Sequence, residues 1–222
     1  MNILIYFCIL IILTLLIYIL QKRLDKLGLI IAMAITNTIS FILSFKYMIL
    51  SNLTININSV AYISMLSVLY LYYEKTNNKE TNKLINQMFV LNFITALLLP
   101  IASLYIQSID DTVGINMKNV FIDNYRLLIS YPITTLLSSY GMIFIYQKVK
   151  QIYDNMFIST TVSFLLIGLL DMIIFTLINY LFKLDIKTII ELILSTYMLR
   201  ILLTVLYSFF LTLITRKKKV KR

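Results

Sequence analysis

The stretch FISTTVSFLLIGLLDMIIFTLINYLF, residues 157–182, decides the fold class of this chain. It is almost wholly apolar, and it is longer than the run of about 20 residues that a helix needs to cross the hydrocarbon core of a bilayer. One carboxylate, Asp171, nevertheless lies near its middle. The stretch therefore predicts a transmembrane helix that carries an ionisable group at mid-depth.

Outward from this stretch, six further segments of similar character follow one another along the 222 residues. Each has close to the length of about 17 to 25 residues expected of a spanning helix. The third segment is the shortest and carries several serines, so it is either a full span or a re-entrant or tilted element. We predict an all-α, polytopic transmembrane helix bundle with six or seven spans, forming a single integral membrane domain over residues 1–222. The predicted spans cover about residues 2–20, 27–50, 57–73, 84–107, 127–146, 157–182 and 189–215.

The overall composition agrees with lipid as the solvent of this chain. It is 60% hydrophobic and 14% charged, which leaves too much apolar surface for one soluble core. With no histidine and a single cysteine, Cys8, the chain lacks the commonest metal ligand and general base. We therefore expect no metal site, no cofactor and no enzymatic activity. The net charge of +10 lies between apolar blocks, so nucleic-acid binding is not expected.

Loops rich in lysine and arginine alternate with loops that are not. This pattern sets the expected orientation, because short basic loops stay in the cytoplasm. The basic segments are 22–26, 75–83, 148–150 and 216–222. Of the loops between them, 51–56 is uncharged, whereas 108–126 carries Asp110, Asp111 and Asp123 against Lys118 and Arg126. The pattern predicts seven spans in a bacterial cell membrane, with the N-terminus outside and the C-terminus in the cytoplasm.

Two ionisable side chains lie where lipid would otherwise surround them. Asp171 and Arg200 are each near the middle of consecutive antiparallel segments, so both are expected at similar depth. An ionisable group at the bilayer centre costs about 2.5 to 3.5 kcal/mol on insertion scales, which favours a partner or a water-filled cavity. The two residues are placed to form a direct ion pair, which either locks the helices together or faces a substrate cavity.

Further polar side chains are candidates for the lining of such a cavity. On the last segment, Glu191 and Ser195 share one helical face, and Glu191 either lines the site or extends to water at the outer interface. Asn92 in the fourth segment is equally suited to close helix packing. The candidate substrate-binding residues are Asp171, Arg200, Asn92, Ser195, Tyr197 and Glu191.

Two motifs near the C-terminus resemble a known transporter family. Residues 171–178 read DMIIFTLI and residues 191–200 read ELILSTYMLR. They are similar to queuosine precursor transporters, which are vitamin-uptake-type transporters. In that family a membrane-embedded Asp precedes a Phe-Thr-Leu-Ile-like run, and the last helix opens with a similar pattern that ends in Lys. Weaker matches at Gly28, Lys46 and Glu74 extend the resemblance over most of the chain.

The resemblance implies uptake of a small heterocyclic molecule, a queuosine precursor of the 7-deazaguanine type. Asp171 would accept hydrogen bonds from ring N–H groups, and Arg200 would donate to a carbonyl. The chain departs from the family pattern at several polar positions; for example, Gly168 stands where the family has a Gln before the embedded Asp.

Two other functions remain open. No Walker motif is present, so a substrate-binding membrane subunit of a multi-component importer would need partner ATPase subunits. A structural or assembly subunit of a larger membrane complex would need no ligand. The expected partners are the lipid bilayer, a small-molecule substrate, and either further copies of the chain or partner membrane subunits.

Overall fold

Helices dominate the chain in a computed structural model that describes residues 2–50, 53–103, 120–122 and 124–219. Within these residues, five helices are long and apolar enough to cross a membrane, and one shorter helix is equally apolar. The elements are α1 (Asn2–Leu43), β1 (Tyr47–Leu50), β2 (Leu53–Asn56), α2 (Ser59–Tyr73), α3 (Asn78–Ser103), α4 (Tyr125–Ile152), α5 (Met156–Tyr180) and α6 (Ile186–Lys219). This confirms the predicted class, a transmembrane helix bundle.

Helix α1 reverses its direction near its middle. Asp25 has φ 48° and ψ −116°, outside the helical region, and separates an arm over residues 2–24 from an arm over residues 26–43. A Cβ atom on Gly28 would collide with the carbonyl oxygen of Leu20. In a straight helix these two residues would be about 12 Å apart. The close approach therefore requires glycine and shows that the chain folds back here.

Both ends of α1 consequently lie at the same end of the bundle. Ile5 and Tyr6 from the first arm line one groove together with Leu43 and Phe45 from the end of the second arm. The two arms are thus antiparallel, and each is long enough for one crossing at about 1.5 Å per residue. With the arms counted separately, the bundle is consistent with six or seven spans.

The predicted second span, residues 27–50, is helical only as far as Leu43. After it the chain turns, and Tyr47–Leu50 pairs antiparallel with Leu53–Asn56. At the turn, the Ser44 hydroxyl donates to the Phe41 carbonyl oxygen at 2.6 Å, which competes with continued helix. A short apolar run does not by its periodicity distinguish helix from strand, so this hairpin was not predicted from the sequence.

Helix α2 lies at the centre of the bundle. Every residue from Ser59 to Tyr72 is buried, and α2 packs against α1, α3, α4 and α6. Its length of about 22 Å is less than the hydrocarbon thickness of about 30 Å. The third predicted segment is therefore a short helix that other helices enclose, with the hairpin directly before it.

Three turns with basic residues converge at one end of the bundle, which we call the basic end. Lys75, after α2, pairs with Asp25 in the bend of α1. Lys150, near the end of α4, lies 2.8 Å from Glu74. The alternating charge pattern predicts this convergence for a cytoplasmic face, and the side of the membrane on which it lies stays a prediction.

At the opposite end, which we call the hairpin end, the β-hairpin contacts the end of α5. The hydroxyl groups of Tyr47 and Tyr180 form a hydrogen bond there. Arg126, at the start of α4, donates to the carbonyl oxygen of Leu181 at 3.0 Å. The acids and the lysine predicted in loop 108–126 (Asp110, Asp111, Asp123 and Lys118) lie outside the described residues, as do the side chains of the basic tail, 216–222.

Candidate functional site

Asp171 and Arg200 meet in the interior of the bundle. Arg200 Nη1 donates to Asp171 Oδ2 at 2.7 Å, and the two side chains are 3% and 5% exposed, Arg200 first. The short turn between α5 and α6 places these residues at similar depth on antiparallel helices. The pair is thus shielded from lipid and from water.

Three further groups complete the surroundings of the pair. From α4, the Ser138 hydroxyl donates to Asp171 Oδ1 at 3.0 Å. From α5, the Gly168 carbonyl oxygen accepts from Arg200 Nη1 at 2.9 Å. From α2, the ring centroid of Tyr62 lies 4.1 Å from the guanidinium carbon of Arg200, a cation–π contact that is strong when desolvated. Each charge is therefore both paired and hydrogen-bonded, as burial requires.

Gly168 makes room for the arginine. A Cβ atom at this position would lie 3.9 Å from Arg200 Cδ, an ordinary van der Waals contact. A longer side chain would therefore occupy the space that the arginine now fills.

A stripe of polar side chains on α6 continues from the ion pair. Thr196, Arg200, Thr204 and Ser208 recur every fourth residue, and all four are buried. Arg200 Nε, Thr204 Oγ1 and Ser208 Oγ have no hydrogen-bond partner within the described residues. An unpaired buried polar group costs about 1 to 3 kcal/mol. The stripe, which spans about 18 Å at 1.5 Å per residue, therefore has unused hydrogen-bonding capacity beside a charged pair.

Tyr6, on the first arm of α1, adds to this capacity. Its hydroxyl is buried without a hydrogen-bond partner among the described residues, and it lies within electrostatic range of Arg200. The same side chain lines the groove between the two ends of α1, whose volume is about 590 Å³. Tyr6 thus stands between this groove and the ion pair.

The β-hairpin is anchored to the same face of α6. The Asn56 backbone N–H donates to Thr196 Oγ1 at 3.2 Å, and the Ser195 hydroxyl donates to the Thr54 carbonyl oxygen at 2.6 Å. Non-helical backbone at membrane depth is tolerated where protein groups satisfy it. Since Thr196 is one helical turn from Arg200, the hairpin covers the ion pair from the hairpin end.

The remaining predicted site residues are dispersed. The Tyr197 hydroxyl donates to the Leu165 carbonyl oxygen at 3.1 Å, which ties α6 to α5. Glu191 lies at the hairpin end, in a pocket that does not contain the ion pair. Ser195, as described, holds the hairpin. Their binding roles stay predictions.

Asn92 belongs to a separate polar cluster. Its amide group and that of Asn37 bond each other at 2.7 and 3.2 Å, and Asn92 Nδ2 also donates to Thr135 at 3.1 Å. These bonds link α1, α3 and α4 around a void of only about 10 Å³. Such an arrangement is typical of helix packing, the alternative that the sequence left open for this residue.

Sequence reasoning did not single out Tyr62 or Ser138. Both lie in apolar segments without a charge, and nothing in the local pattern assigns a direction to either side chain. The hydroxyl residues Thr134, Thr135, Ser138 and Ser139 indicate a polar face on α4 but not which of them contacts Asp171. Among the residues that the structure describes, no group of three or more His, Cys, Asp or Glu side chains is arranged to hold a metal ion.

Comparison with known proteins identifies the family. Residues 42–214 match the family described as vitamin uptake-like sensor, and the matched region contains Tyr62, Ser138, Asp171 and Arg200. Searches of curated proteins and of solved structures give no match. Because the match covers well over half of the chain, the protein belongs to the vitamin uptake-like sensor family and is a vitamin-uptake-like membrane protein.

Proposed function

We propose that this member of the vitamin uptake-like sensor family binds a small planar heterocycle beside the Asp171–Arg200 pair and carries it across the membrane. The observation that carries the proposal is the enclosed ion pair and the stripe that continues from it, in which Arg200 Nε and the hydroxyls of Thr204 and Ser208 have no hydrogen-bond partner among the described residues. Buried polar atoms without partners are rare in proteins. A ligand with donors and acceptors would satisfy them.

The chemistry of the pair suits a ring of the 7-deazaguanine type. Such a ring presents adjacent N–H donors and a carbonyl acceptor on its edge, and its faces are aromatic. Asp171 accepts from N–H donors, Arg200 donates to a carbonyl, and the ring of Tyr62 provides a planar wall. The resemblance to queuosine precursor transporters supports this ligand class, because the motifs that carry it contain Asp171 and Arg200.

The polar stripe on α6 supports transport rather than binding alone. It runs from Thr196, beneath the hairpin, past Arg200 to Ser208, nearer the basic end. Asp171 and Arg200 together carry no net charge. A neutral ligand that hydrogen-bonds to both side chains therefore leaves neither charge without a partner. With no Walker motif in the chain, the energy would come from an ion gradient, the substrate gradient or a separate motor subunit.

Sensing is a second candidate function, and one observation favours it. Helix α6 is continuous from Ile186 at the hairpin end to Lys219 beyond the basic end. A ligand that shifts Arg200 would therefore move the part of the same helix at the basic end as a rigid body. The family description also contains the word sensor.

Ligand binding is tested first, by thermal unfolding of the detergent-solubilised protein with and without 7-deazaguanine derivatives, vitamins and nucleobases. A ligand present at 100 times its Kd stabilises the folded protein by about 2.7 kcal/mol. We expect a heterocycle of this class to raise the unfolding temperature of the native chain and of Lys150→Met, which alters only the basic end. The double variant Asp171→Leu/Arg200→Met should lose the shift.

The outcomes separate the candidate functions. Accumulation of the ligand in sealed liposomes that contain only this chain supports a carrier and eliminates dependence on ATPase subunits. Binding without accumulation supports a sensor or an importer subunit, and copurification of ATPases from native membranes distinguishes the importer subunit. No shift with any heterocycle contradicts the proposal and leaves a structural or assembly subunit.

A further inference from the structure

We propose that the pocket at the hairpin end, between β2, the end of α5 and the start of α6, is a second binding site that is selective for organic cations. The proposal does not rest on ligand binding at Asp171 and Arg200. The pocket has a volume of about 250 Å³, close to the lower limit of about 300 Å³ for small-molecule sites. Its lining comprises Tyr47, Thr54, Tyr180, Leu184, Thr188, Glu191 and Leu192.

The negative charge in the pocket lining favours a ligand of positive charge. Glu191 is the charged residue among the seven that line the pocket. Two lysines near the start of α6 contact other groups, since Lys183 lies 6.0 Å from the ring centroid of Tyr125 and Lys187 interacts with Asp185. An anion would therefore be repelled by Glu191, whereas a cation would gain a partner.

A second carboxylate, that of Asp185, bonds to Thr188 of the pocket lining. Asp185 accepts hydrogen bonds from the Thr188 hydroxyl at 2.6 Å and from its backbone N–H at 3.0 Å. These bonds lower the pKa of the Asp185 carboxyl below its usual value. Asp185 therefore remains ionised at neutral pH and adds negative potential beside a residue that lines the pocket.

The aromatic walls favour an organic cation over a metal ion. The rings of Tyr47 and Tyr180 are nearly perpendicular, with an interplanar angle of 75° and a centroid separation of 6.1 Å. Two tyrosine rings and one carboxylate thus line the same pocket, a combination that attracts quaternary or protonated amines. A Ca²⁺ ion needs six to eight oxygen ligands, and one carboxylate with a few hydroxyls provides a poor set for it.

The pocket is separate from the central ion pair. Glu191 precedes Arg200 by nine residues on the same helix, which corresponds to about 14 Å along its axis. Asn56 of the hairpin, which bonds to Thr196 on the same helix, lies between the two regions. A single bicyclic ring is too short to contact both sites, so each site can be tested without the other.

The test measures choline binding to the full-length protein by isothermal titration calorimetry at constant ionic strength. The control ligand is 3,3-dimethylbutan-1-ol, which has the same shape without the charge. We expect choline to bind and the neutral alcohol to bind about 3- to 30-fold more weakly or not at all, the range that cation–π and partly exposed ionic contacts provide. Equal binding of both ligands would overturn the proposal.

Three variants assign the binding to this pocket. Glu191→Gln keeps the shape and should weaken choline binding about 3- to 30-fold. Tyr180→Leu removes a ring and should also weaken it, whereas Tyr180→Phe keeps the ring and most of the affinity. Glu74→Gln at the basic end is the matched control and should bind choline normally. Unchanged binding by both Glu191→Gln and Tyr180→Leu would exclude this pocket.

The heterocycle thermal shift in the same samples separates this proposal from the function proposed above. Glu191→Gln should retain the shift if the two sites are distinct. If Glu191→Gln instead loses both choline binding and the heterocycle shift, Glu191 belongs to one continuous site. That result would overturn the proposal of a separate second site. Choline binding in the absence of any heterocycle shift would leave this proposal standing and contradict the earlier one.

Discussion

Two ion pairs in this protein have nearly the same geometry in opposite environments. Arg200 and Asp171 are 2.7 Å apart and almost fully buried, whereas Lys150 and Glu74 are 2.8 Å apart with side chains 46% and 28% exposed. Distance alone does not distinguish them. The difference lies in the solvent, because water screens one pair and the bundle encloses the other.

The immediate neighbours make the comparison closer. Glu74 also accepts a hydrogen bond from the Tyr146 hydroxyl at 2.8 Å, and Lys150 Nζ lies 5.3 Å from the centroid of that ring. The central pair likewise has a hydroxyl donor and a tyrosine ring, from Ser138 and Tyr62. The same combination of acid, cation, hydroxyl and aromatic ring is thus placed once at the basic end and once in the interior.

The largest expected effect comes from removing one charge of the central pair. Arg200→Met leaves Asp171 buried without its partner, which should cost about 3 to 5 kcal/mol of unfolding free energy. The double variant Asp171→Leu/Arg200→Met removes both charges and should recover most of that loss. Denaturant titration in mixed detergent micelles, followed by circular dichroism, measures both. A double variant no more stable than the single one would show that the pair is not the source of the effect.

Filling the space beside Arg200 should have the next largest effect on the unfolding free energy. Gly168→Gln inserts a long side chain where the arginine lies, and overpacking of this kind costs about 1 to 3 kcal/mol. Gly168→Ala adds only a Cβ with an ordinary contact to Arg200 Cδ, so its stability should match or exceed that of the native protein. The same unfolding titration compares them, and equal stabilities of the Gln and Ala variants would contradict the packing explanation.

Breaking the pair at the basic end should have a small effect. Lys150→Met leaves Glu74 partly exposed and hydrogen-bonded to Tyr146, so we expect a loss of at most about 1 kcal/mol. A loss as large as that of Arg200→Met would mean that burial does not distinguish the two pairs. The matched substitution of a cation by Met makes this comparison direct.

Salt should give the smallest and most selective effect. At 1 M NaCl the Debye length is about 3 Å, so the coupling energy between Lys150 and Glu74 in a double-mutant cycle should approach zero. The coupling between Arg200 and Asp171 should change little, because ions do not reach the enclosed pair. Equal salt sensitivity of the two couplings would imply that solvent reaches the interior site.

Sequence reasoning gave the fold class and the meeting of Asp171 and Arg200, because hydropathy and the cost of a charge in lipid depend on local composition. It did not predict the β-hairpin, since the run from Tyr47 to Leu50 is as apolar as the helix before it. The sequence predicted a basic break between two spans near Asp25, where α1 reverses. It did not predict that Gly28 would lie so close to Leu20 that a Cβ atom there would collide with the Leu20 carbonyl oxygen.

The candidate site was foreseen only in part. Six site residues were predicted from the sequence, and two of them, Asp171 and Arg200, are in contact in the structure. Asn92 lies instead in a packing cluster. Tyr62 and Ser138, which complete the pair's surroundings, come from helices far away in the chain. Helical periodicity indicates which residues share a face but not which other helix that face meets.

By itself, the sequence determined that this protein is a membrane protein, that its basic turns lie at one end and that one acid and one arginine lie at similar depth. These properties follow from the length and composition of each segment, which act independently of the fold. The tertiary structure decided that α2 is enclosed, that the hairpin covers the ion pair and that Tyr62 stacks on Arg200. Those contacts join residues far apart in the chain, so their free energy depends on how whole helices pack and not on any local pattern.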